Sequence, residues 1–118
     1  MSLKTMKIDN FEEEVLNSSK ASLVLFSNEG CPLCVNLKPI CSNLAKEYLE
    51  VINFFAVDTF EEKQLTKIFS DDGVPTIYFF VDGDGTEIPY PADKNSGYDE
   101  KTLRNFLNLY TRGKIKIK

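Results

Sequence analysis

The stretch Leu23-Val24-Leu25-Phe26-Ser27-Asn28-Glu29-Gly30-Cys31-Pro32-Leu33-Cys34 decides the fold. Its first four residues form an apolar run that reads as a buried strand. From Val35 to Leu49 the apolar residues Leu37, Cys41, Leu44, Ala45 and Tyr48 recur at helical spacing. A strand therefore feeds a helix through Cys-x-x-Cys. That order puts Cys31 at the helix N-terminus, where unpaired backbone N–H groups favour a thiolate. Two cysteines three residues apart can also meet across the first turn and close a small disulfide. Pro32 suits the first helical turn, where proline removes no hydrogen bond. The stretch outlines a redox dithiol, one thiol attacking and the other resolving.

Upstream, Met6-Lys7-Ile8 is a short strand candidate, and residues 1–5 read as a flexible start in which Met1-Ser2-Leu3 looks like an expression scar. Asp9 or Asn10 can cap the next helix, whose first turn carries Glu12, Glu13 and Glu14. Ser22 to Ser27 is apolar on both sides, which suits a sheet covered on both faces. Downstream, Val51 to Val57 forms another strand, and Thr59-Phe60-Glu61-Glu62 has capping-box spacing for a helix reaching Phe69. Ile77 to Val81 and Glu87 to Tyr90 flank a hairpin turn at Asp82-Gly83-Asp84-Gly85. After a polar loop from Pro89 to Gly97, Leu103, Phe106, Leu107 and Tyr110 mark one face of a last helix over Asp99–Tyr110, with Gly113 as its stop. Residues 112–118 read as a frayed basic tail. The order βαβαβαββα predicts an α/β class protein: a central mixed sheet with helices on both faces.

Bulk properties narrow the function. At 118 residues the chain fits one domain over 1–118 with a real core. A net charge of −4 speaks against a nucleic-acid partner. No run approaches the roughly 18 apolar residues of a membrane helix, and the N-terminus lacks the apolar centre of a signal peptide. Three cysteines leave one unpaired, so a reducing, cytoplasmic setting is expected. Zinc needs about four ligands, whereas the chain has no histidine and one cysteine besides the pair, so no metal is expected. Cys41, seven residues beyond Cys34 on the same helical face, reads as a small core residue too far along for a disulfide to Cys34.

The strand–CxxC–helix unit resembles the thioredoxin fold. Gly73-Val74-Pro75-Thr76 before Ile77-Tyr78-Phe79-Phe80-Val81 matches that family's cis-proline loop, and Pro39 matches the proline that bends its active-site helix. The likeness runs in order from about Met6 to Tyr110. It implies a thiol–disulfide oxidoreductase that reduces protein disulfides, with Cys31 as nucleophile and Cys34 as buried resolving thiol. Gly30, Gly73, Val74 and Pro75 would then line the substrate site, with Pro75 cis and the Val74 backbone presented to a peptide. No bound cofactor is implied: the Cys31–Cys34 disulfide itself is recycled by a thioredoxin reductase-like donor or by glutathione.

The departures matter as well. Thioredoxins usually place tryptophan before the first cysteine and Gly-Pro between the two; here Gly30 and Pro32-Leu33 stand there. Cys-Pro-x-Cys is the glutaredoxin ordering, which raises a glutathione-dependent alternative, although glutaredoxins lack the leading strand and helix. The family's buried Asp–Lys pair is replaced by Leu25 and Phe54, apolar residues suited to packing together. Removing both charges together need cost no stability, yet it leaves Cys34 without that proton acceptor. A peptide-binding or chaperone module with weak redox activity is therefore a second expectation. Glu29, Asp71, Asp72, Asp93 and Asp99, against Lys94, would favour basic substrates if they border the groove.

Overall fold

The computed structural model describes residues 3–89 and 98–111. In chain order the elements are β1 (Leu3–Thr5), α1 (Ile8–Phe11, continuing as a π-helical turn through Glu12–Leu16), β2 (Ala21–Ser27), α2 (Pro32–Glu47), β3 (Ile52–Asp58), α3 (Lys63–Phe69), β4 (Thr76–Val81), β5 (Asp84–Glu87) and α4 (Glu100–Thr111). The strands form one five-stranded sheet in the order β1-β3-β2-β4-β5. β1 and β2 run parallel to β3, while β4 is antiparallel to β2 and β5 to β4. The expected α/β class and element order hold.

Each face of the sheet carries its own core. On one, Leu23, Leu25, Phe54, Ile77 and Phe79 pack with Leu37, Cys41, Leu44 and Ala45 of α2 and Leu103 and Leu107 of α4. On the other, Val24, Phe26, Phe55, Val57 and Phe80 meet Phe11, Val15 and Leu65. Successive residues of β2 thus point to opposite cores, which explains its unbroken apolar run. Burying a Leu or Phe side chain contributes roughly 1.5–3 kcal/mol, so these two clusters supply most of the drive to fold.

Four boundaries differ from the sequence expectation. The first strand is Leu3–Thr5 rather than Met6–Ile8, so the supposed flexible start is partly sheet. Parallel pairing of Leu3 with Phe54 and Thr5 with Ala56 fixes it, and the Met6 amide donates to the Ala56 carbonyl at 2.8 Å. The first helix accordingly starts at Ile8. Asn10 does not stand at its N-cap but reaches back to accept the Lys7 amide, and Glu62 accepts the Ile8 amide at 2.9 Å. α3 opens at Lys63, not Thr59, because Asp58 takes over the turn: its side chain accepts the Phe60 amide and its carbonyl those of Glu61 and Glu62. Finally, β5 runs Asp84–Glu87 rather than Glu87–Tyr90, since Asp82 and Gly83 alone make the turn, both at positive φ. Gly85 faces Phe80 so closely that an added Cβ would lie 2.4 Å from its ring. Tyr90 to Gly97, Gly113 and the basic tail fall outside the described residues.

Candidate active site at the ends of the central strands

Register delivers the candidate residues to one end of the sheet. Ser27 pairs with Asp58 at the ends of parallel β2 and β3, and Phe26 pairs with Thr76 at the start of antiparallel β4. The loops that follow Ser27 and Asp58, and the loop that precedes Thr76, therefore emerge together. Cys31 and the Gly73-Val74-Pro75 segment lie on two of them.

Cys31 is the N-cap of α2, with extended backbone (φ −106°, ψ 105°), and Pro32 opens the first turn. Its sulfur accepts the Cys34 amide at 3.1 Å, the place an oxygen takes at most helix N-termini. Cys31 and Cys34 are joined as a disulfide with Cα atoms 5.3 Å apart. The first sulfur does keep more solvent access, but the difference is small: Cys31 is 6% exposed and Cys34 2%. Pro39 lies inside α2, where its missing N–H leaves the Val35 carbonyl without the usual helical partner.

The second loop is held by buried hydroxyls. Val74-Pro75 is a cis peptide bond, and Gly73 sits at φ +123°, a conformation suited to glycine. The Gly73 carbonyl accepts from Ser70 Oγ at 2.8 Å and Thr76 Oγ1 at 2.7 Å, and the two hydroxyls are 3.1 Å apart. Two protons serve three contacts, so each hydroxyl donates once and the carbonyl always has a partner. Pro75 is buried, Val74 half-buried and Gly73 exposed.

Asn28 organises the approach to Cys31. Its Oδ1 accepts the Gly30 amide at 2.9 Å, its carbonyl accepts the Cys31 amide at 3.3 Å, and its Nδ2 donates to Thr59 Oγ1 at 2.8 Å. Sequence reading singled out neither Asn28 nor Ser70, and took Thr59 for a helix cap rather than a residue of the site. The Asn-x-Gly spacing before Cys31 does carry the signal of an Asx turn, whereas the pairing with Thr59 is a matter of tertiary register.

Beside the disulfide lies a pocket of about 300 Å³ lined by Asn28, Glu29, Cys34, Val35 and Lys38. Lys38 stands four residues after Cys34 on the same helix face. The sequence reading, which weighed Lys94 alone against the acids, overlooked it. Asp93 and Lys94 lie outside the described residues. Asp99 caps α4 through the Thr102 amide at 2.7 Å, and that bond above all lowers its pKa.

Leu25 and Phe54 belong to one core on the α2 side of the sheet, but they are not directly opposed. Leu25 faces Ala56 and Phe54 faces Leu23, which makes the two diagonal neighbours. Cys41 is a free thiol, fully buried, and that burial pushes its pKa up to about 12. Among the described residues no group of three or more His, Cys, Asp or Glu side chains is placed to hold a metal ion.

A sequence model of the thioredoxin family matches residues 2–108. The thioredoxin of Acetoanaerobium sticklandii is 30% identical over 99 residues, covering 84% of this chain and 94% of that protein. The protein disulfide-isomerase erp38 of Neurospora crassa is 37% identical over 112 residues, 92% of this chain. The chain spans only 29% of the length of that isomerase, and 28% of tigA from Aspergillus niger, a disulfide isomerase 32% identical to it. With the helix-capping cysteine pair and the cis-proline loop set on a mixed sheet, this match over nearly the whole chain means that the chain belongs to the thioredoxin family.

Proposed function

We propose that the domain catalyses thiol–disulfide exchange and reduces protein disulfides through Cys31 and Cys34. The observation that carries this reading is the capping geometry: the Cys31 sulfur accepts the Cys34 amide at a helix N-terminus, an arrangement that favours thiolate. The Cys31 thiolate attacks one sulfur of a substrate disulfide, whose other sulfur leaves as thiolate. Cys34 then attacks the Cys31 sulfur of the mixed disulfide, releasing the second substrate thiolate and forming the Cys31–Cys34 bond. Two electrons pass to the substrate, and an external reductase or glutathione restores the dithiol. Gly30, Gly73, Val74 and Pro75 form the peptide site, the Val74 backbone offering main-chain pairing. A reducing, cytoplasmic setting is the compartment we infer, supported by a buried third cysteine with no disulfide partner. Basic peptides are the substrate class that exposed Glu29, Asp71, Asp72 and Asp99 support.

Insulin-disulfide reduction with dithiothreitol tests the activity. Wild type should accelerate precipitation, Cys31→Ser should abolish it, and Cys34→Ser should trap a mixed disulfide. With the reduced protein, iodoacetamide should label Cys31 before Cys34 and Cys41. Faster labelling of Cys34, or equal rates for wild type and Cys31→Ser, would overturn the assignment. A second reading, a peptide-binding module with weak redox turnover, is favoured by the apolar Leu25 and Phe54, which leave no charged pair in that core. Slow turnover with tight peptide binding would select it.

A further inference from the structure

Phe60 stands out among the described residues as the exposed aromatic side chain, 57% exposed and at the dithiol end of the sheet. Its ring reaches over Gly30: a Cβ built there would lie 3.6 Å from Phe60 Cζ. The bare glycine before Cys31 thus leaves a shallow place whose wall is supplied by another loop. That loop is held firmly on both sides of the ring. Asp58 Oδ1 accepts the Phe60 amide at 2.8 Å, the Ser27 carbonyl accepts the Thr59 amide at 3.0 Å, and Asn28 Nδ2 donates to the Thr59 hydroxyl at 2.8 Å. The Asp58 carbonyl accepts the next two amides, those of Glu61 and Glu62. An apolar ring kept in water on so well bonded a loop is preorganised for contact, since little further ordering is needed when a ligand arrives. Aromatic rings of this kind supply most of the contact energy at binding sites.

We propose that Phe60 is a specificity-determining residue of the dithiol site, packing against an apolar side chain beside the reactive cysteine of a substrate peptide. The inference rests on the exchange activity proposed above, and deepens it by naming a preference: disulfides flanked by Leu or Phe over those flanked by Ser. Gly30 contributes by having no side chain, so that the substrate residue lies against the ring. Main-chain pairing at Val74 would hold the peptide without regard to sequence, and Phe60 would read one side chain of it.

The test uses two peptides that differ only at the residue adjoining the disulfide cysteine, Leu in one and Ser in the other. A small aliphatic disulfide, reduced by wild type but not by Cys31→Ser, first establishes that exchange occurs; if it is not reduced, the exchange reading fails and Phe60 is not the cause. Given exchange, wild type should prefer the Leu peptide by about five- to tenfold in kcat/KM, expressed mainly in KM. Phe60→Ala should bring the ratio close to one, Phe60→Tyr should retain it, and Ile68→Ala, which removes another exposed apolar side chain from α3, should leave it intact. The chain has no tryptophan, so Phe60→Trp adds a single fluorophore whose emission should shift to the blue on binding the Leu peptide. Thermal melts establish that each variant is folded. A wild-type ratio near one, or a ratio that survives Phe60→Ala in folded protein, would overturn the proposal. So would an emission of Phe60→Trp that is the same with and without the Leu peptide.

Discussion

Asn28 and Thr59 tie the two loops at the end of the central strands together, Nδ2 donating to Oγ1 at 2.8 Å across parallel β2 and β3. The same Asn28 side chain accepts the Gly30 amide, so one residue sets both the inner shape of the Cys31 loop and its anchor. Asn28→Ala is expected to cost about 1–3 kcal/mol of stability, as each lost hydrogen bond is worth about 1 kcal/mol and Thr59 is left largely buried. Asn28→Asp keeps the acceptor for Gly30 and loses the donor to Thr59, so urea unfolding should place it between wild type and Asn28→Ala. If all three unfolded at one urea concentration, the tie would be incidental.

Cys41 gives a pH dependence of stability. Its thiol is fully buried and its pKa is raised to about 12, whereas an unfolded cysteine titrates near 8.5. The folded state therefore holds the proton more tightly. Its contribution is complete below about pH 8.5 and is lost as pH rises towards 12. Burial and the nearby Glu87 and Asp72 raise Tyr78 also, so tyrosine adds to the loss above about pH 10. Denaturant midpoints should fall between pH 8.5 and 10 in wild type and remain flat over that interval in Cys41→Ala. That variant should itself be about 1–2 kcal/mol less stable at pH 7 from the lost packing. Equal slopes for the two proteins would remove Cys41 as the cause.

The legible part of this protein is what short-range pattern controls. Apolar runs revealed the strands, apolar residues at helical spacing the helices, and the Cys-x-x-Cys motif the dithiol. Pro75 stood out only through the likeness of Gly73-Val74-Pro75-Thr76 to the thioredoxin cis-proline loop. What stayed hidden depends on register. Thr59 looks like a helix cap in sequence, but its hydroxyl serves Asn28 while Asp58 makes the turn. Leu25 and Phe54 look like an opposed pair, yet strand pairing sets them diagonally. The approach of Phe60 to Gly30 was invisible because nothing local indicates that its loop reaches there.

Leu25 is expected to make the second chemical step the slow one. It is fully buried in the core on the α2 side of the sheet, and no carboxylate stands at its position to take the proton from Cys34. Release of the mixed disulfide should therefore be slow relative to attack. Leu25→Asp should accelerate release by about tenfold or more, since a positioned base contributes 10²–10⁴ at best. The buried carboxylate should cost about 3 kcal/mol of stability or more, as an unpaired polar group there is poorly solvated. Glu29 is the carboxylate lining the pocket beside Cys34, so Glu29→Gln should slow release below wild type. Rapid-quench measurement of mixed-disulfide decay reads both effects, and a decay rate unmoved by either change would show that proton removal from Cys34 is not limiting.

Glu29, Asp71, Asp72 and Asp99 would steer substrates by charge if they border the groove. Glu29, Asp71, Asp72 and Asp99 are exposed, and the Thr102 amide lowers the pKa of Asp99, so it carries its charge at neutral pH. Lys38 opposes Glu29 from the wall of the same pocket, which limits the net field near Cys34. Peptides with Lys flanking the disulfide should be reduced faster than matched peptides with Glu, by about threefold at low salt. The difference should lie in the second-order rate rather than in the maximal rate, since steering acts on encounter. Exposed charges are screened within about 10 Å at 0.1 M salt. The preference should thus fade between about 0.01 and about 0.3 M sodium chloride, roughly tenfold below to threefold above the salt at which screening reaches 10 Å. Lys38→Gln should widen it at low salt by removing the opposing charge. Equal rates for the two peptides, or a preference indifferent to salt, would reduce these acids to solvated surface and leave charge out of partner choice.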